Sequence, residues 1–279
     1  MLLQMFRGLF VRFYKRLHRQ ADQLNRSNIK DSIAQSTAKL PASQKLSLLD
    51  VGCDDGLWTL ELAKAARSHN ASLAITASGM DIFEERAKLA TGRGIQVSVA
   101  NAADTFPYPD ASFDLIHANQ VIEHVPNVDT FVSEIFRTLK PGGTAIISSE
   151  NASAWHNIFA ALMGWQIFSL TNVSAKAGAI GNPLALHNGA DAFCSSWTHK
   201  TIFNYQGYRD LFRVHHFEDV HVIGAGYHPL PAIFGKWDPR HAHFITAVAR
   251  KPLANPAFAA AHVSEAKTQK INAFEGTVP

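Results

Sequence analysis

Cysteine is nearly missing from this 279-residue chain: Cys53 and Cys194 are the whole complement. Two thiols make no disulfide framework, and one of them sits inside a glycine turn. Both read as reduced thiols in an intracellular, cytoplasmic protein. No window of about 18 residues is apolar enough to span a bilayer. The nearest, 154–170, is interrupted by His156, Asn157, Gly164 and Gln166. The N-terminal apolar residues are broken by Arg7 and Arg12, and no small-residue cleavage site follows, which excludes a standard signal peptide. Acid is scarce at the start. Residues 1–30 carry seven Lys/Arg against Asp22 alone, a charge of +6 in a chain of net +3, so the other 249 residues sum to −3. That mildly acidic body offers no nucleic-acid-binding face. No internal repeat is present. What remains is a core: 47% of the residues are hydrophobic, enough for one large domain with an insertion.

In residues 1–20, Leu2, Leu3, Phe6, Leu9, Phe10, Phe13 and Leu17 recur at spacings of three and four, with basic residues mostly elsewhere on the wheel. Two roles suit such a basic amphipathic helix: capping the domain, or lying on an anionic membrane surface as a peripheral contact. With its linker it occupies 1–44. From 45 to 150 strand and helix alternate. Strands are expected at 45–51, 72–81, 95–100, 113–118 and 144–149. Helices are expected at 56–67 with Leu57, Leu60 and Ala63 inward, at 84–90, and at 129–139 with Pro141-Gly142-Gly143 as its stop. This rhythm predicts a doubly wound parallel α/β sheet. Residues 151–200, rich in Trp, Phe, Asn and Gly, break it and read as an insertion or lid. A helix at 205–213 and strands at 218–224 and 242–250 then complete the domain, 45–251. The tail, 252–279, reads as disordered.

The stretch L48-L-D-V-G-C-D-D-G-L-W-T-L60 joins the first strand to the first helix through a glycine turn. Ligands of open α/β sheets bind at such a turn. A dinucleotide would set its pyrophosphate on the helix N-terminus, but Asp54 and Asp55 stand there. Like charges about 4 Å apart at an effective dielectric near 20 repel by roughly 4 kcal/mol. The third glycine of the dinucleotide fingerprint is also missing. A nucleoside with a cationic end and no phosphate, such as S-adenosylmethionine, suits the turn better, its one carboxylate using backbone N–H donors. Asp55 also suits a helix cap. Asp81, ending the second strand, suits both a ribose diol and a helix cap. Asn101, after the third strand, could bond an adenine edge or be a plain loop residue.

Taken together, L48-L-D-V-G-C-D-D-G56, G79-M-D81, N101-A-A-D-T-F-P-Y-P-D-A-S-F-D114, H117-A-N-Q-V-I-E-H-V125 and F136-R-T-L-K-P-G-G143 resemble the class I S-adenosylmethionine-dependent methyltransferase family, clearly over 45–150 and loosely over 199–250. The resemblance implies a Rossmann-like seven-stranded sheet with an antiparallel last strand. It implies that Asp50, Gly52, Cys53 and Gly56 line the methionine end, that Asp81 holds the ribose, that Asn101 and Ala102 face the adenine, and that Asn119 lies near the methyl donor. There are two departures: Asp54 stands where the family often has glycine, and Asn101 where it often has Asp. Asp54 must therefore take a turn conformation that Asp tolerates better than most residues.

Methyl transfer is an in-line displacement that needs alignment, and an oxygen acceptor also needs a base. His124 just past strand four, its neighbour Glu123, and His187 are the candidates, with His199 beside them and His156 and His228 behind. Each has a structural alternative. The scattered histidines suggest no metal site; His241 and His243 read as packing or rim residues. Trp155, Phe159, Leu162, Trp165, Phe168 and Trp197 would form an apolar wall over the acceptor, or simply core. An apolar lid beside a basic helix points to a small-molecule, lipid-like or glycan acceptor. The competing reading is a non-catalytic S-adenosylmethionine-binding scaffold or regulatory protein.

Overall fold

The computed structural model describes residues 2–38, 40–41, 44–185 and 195–253. His187, Cys194 and the tail beyond 253 lie outside the described residues. The first helix is longer than its apolar repeat: α1 spans Leu2–Thr37. The alternation then runs β1 (Lys45–Val51), α2 (Leu57–Ala66), β2 (Ala74–Asp81), α3 (Glu84–Gly92), β3 (Gln96–Val99), β4 (Phe113–Asn119), α4 (Val128–Thr138), β5 (Leu139–Glu150), α5 (Trp155–Leu162), α6 (Tyr205–Val214), β6 (Glu218–Ala225), α7 (Phe234–Trp237) and β7 (Phe244–Arg250).

The sheet has seven strands in the order β3-β2-β1-β4-β5-β7-β6. β1 pairs in parallel with β2 and β4, while β7 pairs antiparallel with both β5 and β6. The expected architecture is thus present, its antiparallel strand inserted beside β5. The period-two alternation of β1 divides the core. Leu49 and Val51 join Phe131, Val132 and Ile135 of α4 and Tyr208 and Phe212 of α6 on one face. Leu46 and Leu48 join Ile29 and Ile33 of α1 and Leu62 and Ala66 of α2 on the other. The second half of α1 is therefore a core helix, a role hidden by its buried Asn25, Asn28 and Ser32.

One local expectation is corrected, and another gains a detail. α2 buries Thr59, Leu62, Ala63 and Ala66, while Leu57 and Leu60 are 55% and 41% exposed. The helix is turned because Thr59 Oγ1 donates a 2.5 Å hydrogen bond to buried Asp50. Pro141-Gly142-Gly143 lies within β5, as a bulge between the pairs Phe113–Leu139 and Leu115–Thr144. The C-terminus of α4 is capped from elsewhere: Lys251 Nζ donates to the carbonyls of Phe136 (2.6 Å) and Leu139 (2.7 Å), satisfying acceptors that a helix end leaves open. No described helix is long and apolar enough to cross a membrane.

Candidate functional site

The chain leaves β1 in one direction toward β2 and β3 and in the other toward β4 and β5. The carboxyl ends of β1 and β4 flank that switch point, where open α/β sheets bind ligands. The turn after β1 is left-handed at Gly52 (φ 74°), Asp54 (φ 48°) and Gly56 (φ 81°). A Cβ on Gly52 would come within 2.6 Å of Val121 Cγ2. Asp54 adopts the expected turn conformation and turns its carboxylate outward to Arg86, 3.0 Å away. An exposed pair of this kind contributes little to stability.

The turn has already committed its donors. The Gly52 and Cys53 N–H groups donate to the Met80 carbonyl (2.7 and 3.2 Å), and Gly56 N–H donates to the Cys53 carbonyl (2.9 Å). Asp54 N–H donates to Asp81 Oδ2 (2.8 Å) and Leu57 N–H to Asp55 Oδ1 (3.1 Å). A pyrophosphate would find acids beside it and these five donors taken, which weighs against a dinucleotide a second time. It also corrects the expectation that a ligand carboxylate is held by those N–H groups.

Asp81 braces both the turn and the approach to α3, whose N-cap position is Phe83 rather than Asp81. It is buried; Oδ1 accepts from Phe83 N–H at 2.9 Å, opening α3, and Oδ2 braces the turn. Each carboxylate oxygen keeps a lone pair for a diol. Asp81 lines a cleft of about 610 Å³ together with Gly52, Asp54, Asn101, Ala102, Asn119 and His124. Asn101 Oδ1 accepts from Ala103 N–H at 3.0 Å. Asn119 Oδ1 accepts from Asn25 Nδ2 of α1 at 3.1 Å.

A second opening of about 440 Å³ shares Gly52, Asp54 and Asn119 and adds Cys53, Arg26, Trp58 and His117. Arg26 lies 4.7 Å over the Trp58 ring and is held by Asp22 at 3.0 Å. Motif reading missed Arg26, Trp58 and His117; the only signal for Arg26 was the basic bias of the N-terminus. Burial raises the Cys53 thiol to about 12, helped by Asp50 and Asp81, so it stays protonated. Asp50 and Gly56 line neither opening. Asp50 is buried between Thr59 Oγ1 and His117 Nδ1 (2.7 Å). A Cβ on Gly56 would strike Ile95 Cδ1 and Ala90 Cβ at 2.5 and 2.8 Å. Both shape the turn from behind.

Of the acid–base candidates, His124 lines the cleft. Its Nδ1 is 3.3 Å from the Thr198 carbonyl and its ring meets His199 edge-on at 4.7 Å. Burial, then the neighbouring His199, lowers its pKa to about 4. The imidazole is therefore neutral at pH 7, and the Thr198 contact assigns its proton to Nδ1. Glu123 lies behind the cleft wall. Burial raises its carboxyl to about 8, and Ser149 Oγ donates to it at 3.3 Å. Its backbone carbonyl accepts from Lys200 N–H at 2.7 Å, fixing the chain there against the start of the loop after β4. Glu123, His124 and His199 bring side-chain N and O atoms within 4.8 Å of one another, and His156, His228 and His243 do the same in a second group. The second group corrects the picture of scattered histidines: residues 15 to 87 apart in the chain converge in the fold.

The anticipated aromatic wall divides. Trp155, Phe159 and Phe168 line a separate, almost wholly apolar cavity of about 580 Å³ with Phe13, Tyr14 and Leu17 of α1. Trp197 lines the first cleft. Trp165 packs against Phe159 at 6.1 Å, and Leu162 is 81% exposed.

Comparison with known proteins places this geometry. Residues 12–222 match the family model described as a methyltransferase domain. Ajmaline N-methyltransferase of Rauvolfia serpentina is 32% identical over 117 residues, 39% of this chain and 38% of its own. The mitochondrial ubiquinone biosynthesis O-methyltransferase of Rattus norvegicus is 27% identical over 151 residues, 50% of this chain and 41% of its own. The ubiquinone/menaquinone biosynthesis C-methyltransferase UbiE of Rickettsia akari is 36% identical over 106 residues, 36% and 42% of the two chains. The matches thus span about two fifths of each relative. A Thermotoga maritima structure described as a possible histamine N-methyltransferase shares the fold, with a TM-score of 0.50 at 18% identity over 88% of this chain and 98% of the other. With the family model covering most of its length and the glycine turn, Asp81 and strand order agreeing, the chain belongs to the methyltransferase-domain family, in its class I S-adenosylmethionine-dependent branch.

Proposed function

We propose that the protein transfers the methyl group of S-adenosylmethionine to a lipid-like small molecule, a hydroxylated ring with an apolar tail. The observation that carries this reading is the convergence of Asp81, Asn101 and neutral His124 on one cleft. In it, Asp81 accepts from the ribose hydroxyls, and Asn101 and Ala102 border the adenine. The methionine end runs past Gly52 toward Arg26, whose guanidinium meets the carboxylate that the committed turn donors cannot. Asn119 lies between the two openings, near the methyl group. The bound cofactor supplies an electrophilic methyl carbon. The chain aligns the acceptor with it and excludes water.

His124 Nε2 accepts the acceptor's proton as the methyl bond forms. A base with a pKa near 4 stays ready across the neutral range but is weak, so its contribution sits at the low end of the usual span, about 100-fold. Glu123 and His199 act as positioning residues for that ring. A lipid-like acceptor is supported by the apolar cavity beneath α5 and by the basic α1. Two relatives also bear names from quinone biosynthesis.

The test pairs binding with turnover. Calorimetry should give micromolar binding of S-adenosylmethionine and none of NAD. Methyl transfer to a prenylated catechol in mixed micelles should exceed transfer to free catechol. His124→Gln should lower kcat about 100-fold while leaving cofactor affinity intact. Binding with no transfer to any acceptor would instead establish the non-catalytic alternative.

A further inference from the structure

The second histidine group stands apart from the cofactor cleft, which none of its three members lines. His156 comes from α5, His228 from the loop after β6, and His243 from the residue before β7; all three are buried. His243 Nδ1 lies 3.2 Å from His156 Nε2, and His243 Nε2 lies 3.1 Å from His18 Nδ1 on α1. Ring centroids of His156, His228 and His243 are 4.5–5.1 Å apart. His156 Nδ1 and both nitrogens of His228 are buried without a hydrogen-bond partner. The backbone of Leu17 lies beside His228 but makes no well-formed bond to it. Orphaned buried nitrogens are costly and rare. Three on one cluster, in a wall otherwise built of Tyr14, Phe168 and other apolar side chains, mark a place built for something more than packing.

We propose that His156, His228 and His243 form a binding site for one divalent transition-metal ion of the zinc type, with His18 orienting His243. Two imidazole nitrogens on a tetrahedral ion at zinc–nitrogen distances of 2.0–2.1 Å stand about 3.3 Å apart. The 3.2 Å His156–His243 separation is already that edge. His228 offers its ligand atom from within 4.8 Å of both others. His18 accepts the Nε2 proton of His243 and so turns the Nδ1 lone pair toward the ion, as partners of metal-bound histidines do. An all-imidazole donor set selects zinc, copper, nickel or iron over magnesium or calcium. Imidazole binds metal in its neutral form.

The ion would tie three segments directly, and α1 as a fourth through His18. His156 and His228 also line the apolar cavity, so metal occupancy would fix the shape of that cavity rather than the cofactor cleft. Three protein ligands leave a fourth position, as open zinc sites do.

The test uses the full chain freed of any histidine tag, stripped with chelator and titrated with Co²⁺ and then Zn²⁺. One Co²⁺ per chain is expected, with visible absorption typical of tetrahedral coordination and displacement by equimolar Zn²⁺. His228→Leu, which replaces the ring carrying two orphaned nitrogens by an apolar group, should weaken binding at least 100-fold. Its circular dichroism should stay unchanged, and it should lose the rise in melting temperature that Zn²⁺ gives the parent protein. His199→Asn, which breaks the other converging group, should keep the absorption. No ion bound at micromolar concentration by a folded parent protein would overturn the proposal. So would absorption that survives His228→Leu or disappears in His199→Asn. None of these readouts depends on methyl transfer.

Discussion

The two ends of the sheet's ligand edge are built on different plans. On the side of β1, β2 and β3, a few neighbouring residues shape the turn. The turn at 52–56 closes on itself and on Asp81, and the N–H groups of Gly52, Cys53, Asp54 and Gly56 have partners within the turn or on the adjacent strand. On the side of α5, β6 and β7, the partners come from far away. His18 meets His243, Tyr14 stacks on Phe168 at 5.3 Å, and Asn25 reaches Ser148 and Thr246. The first plan gives a turn specified by local chemistry. The second gives a cavity whose walls belong to separate segments and whose shape depends on how those segments dock.

The sharpest test of the contrast is Asp81→Ala. It removes the ribose acceptor and the brace of the turn together, and charged hydrogen bonds are worth about 1.5–3 kcal/mol each. Cofactor affinity should fall about 100-fold or more by calorimetry; unchanged affinity would detach the seat from Asp81 altogether. Next comes the pH dependence of stability. The folded state holds the Glu123 proton up to about pH 8, whereas the ordinary carboxyl value is 4.5. The native state therefore binds more protons across that window. This residue's contribution to stability falls as pH rises, by at most about 1.4 kcal/mol per pH unit. Denaturant unfolding from pH 5 to 8 should show that decline, and Glu123→Gln should flatten it; equal slopes would mean the carboxyl is ionised in the fold. Arg26→Ala should cost about 10-fold in cofactor affinity, the low end for a charged contact, with less effect on adenosine, which lacks the carboxylate. An equal loss for both ligands would remove Arg26 from the methionine end. The smallest effect belongs to Leu162→Ser on the exposed side of α5. Stability should change by less than about 0.5 kcal/mol in denaturant melts, while the KM of a lipid-like acceptor rises. A large loss of stability would show the lid to be core.

The same contrast explains what could be read from the sequence. The strands, the glycine turn and the left-handed Asp54 were legible because each rests on residues close in the chain or on period-two burial. α2 was turned the wrong way because Thr59, a polar residue, faces inward to Asp50. The end of α4 was legible in Pro141-Gly142-Gly143, but the Lys251 ammonium that also satisfies it lies 112 or more residues away. The core half of α1 was invisible for a similar reason: Asn25 and Asn28 look like solvent residues until their partners, 94 to 221 residues distant, are known. The histidine cluster is the extreme case, since no spacing rule links positions 18, 156, 228 and 243.

Asn25 has one more consequence. From mid-helix it bonds Asn119 at the tip of β4, Ser148 of β5 and Thr246 of β7 at once. It is a fulcrum for α1, with the basic N-terminal arm on one side and the core half on the other. Any force that lifts the arm is resisted at Asn119, one of the residues shared by both openings of the site. Thermodynamic reciprocity then requires that whatever settles against Asn119 and favours its bonded position also holds the arm down, and by the same free energy.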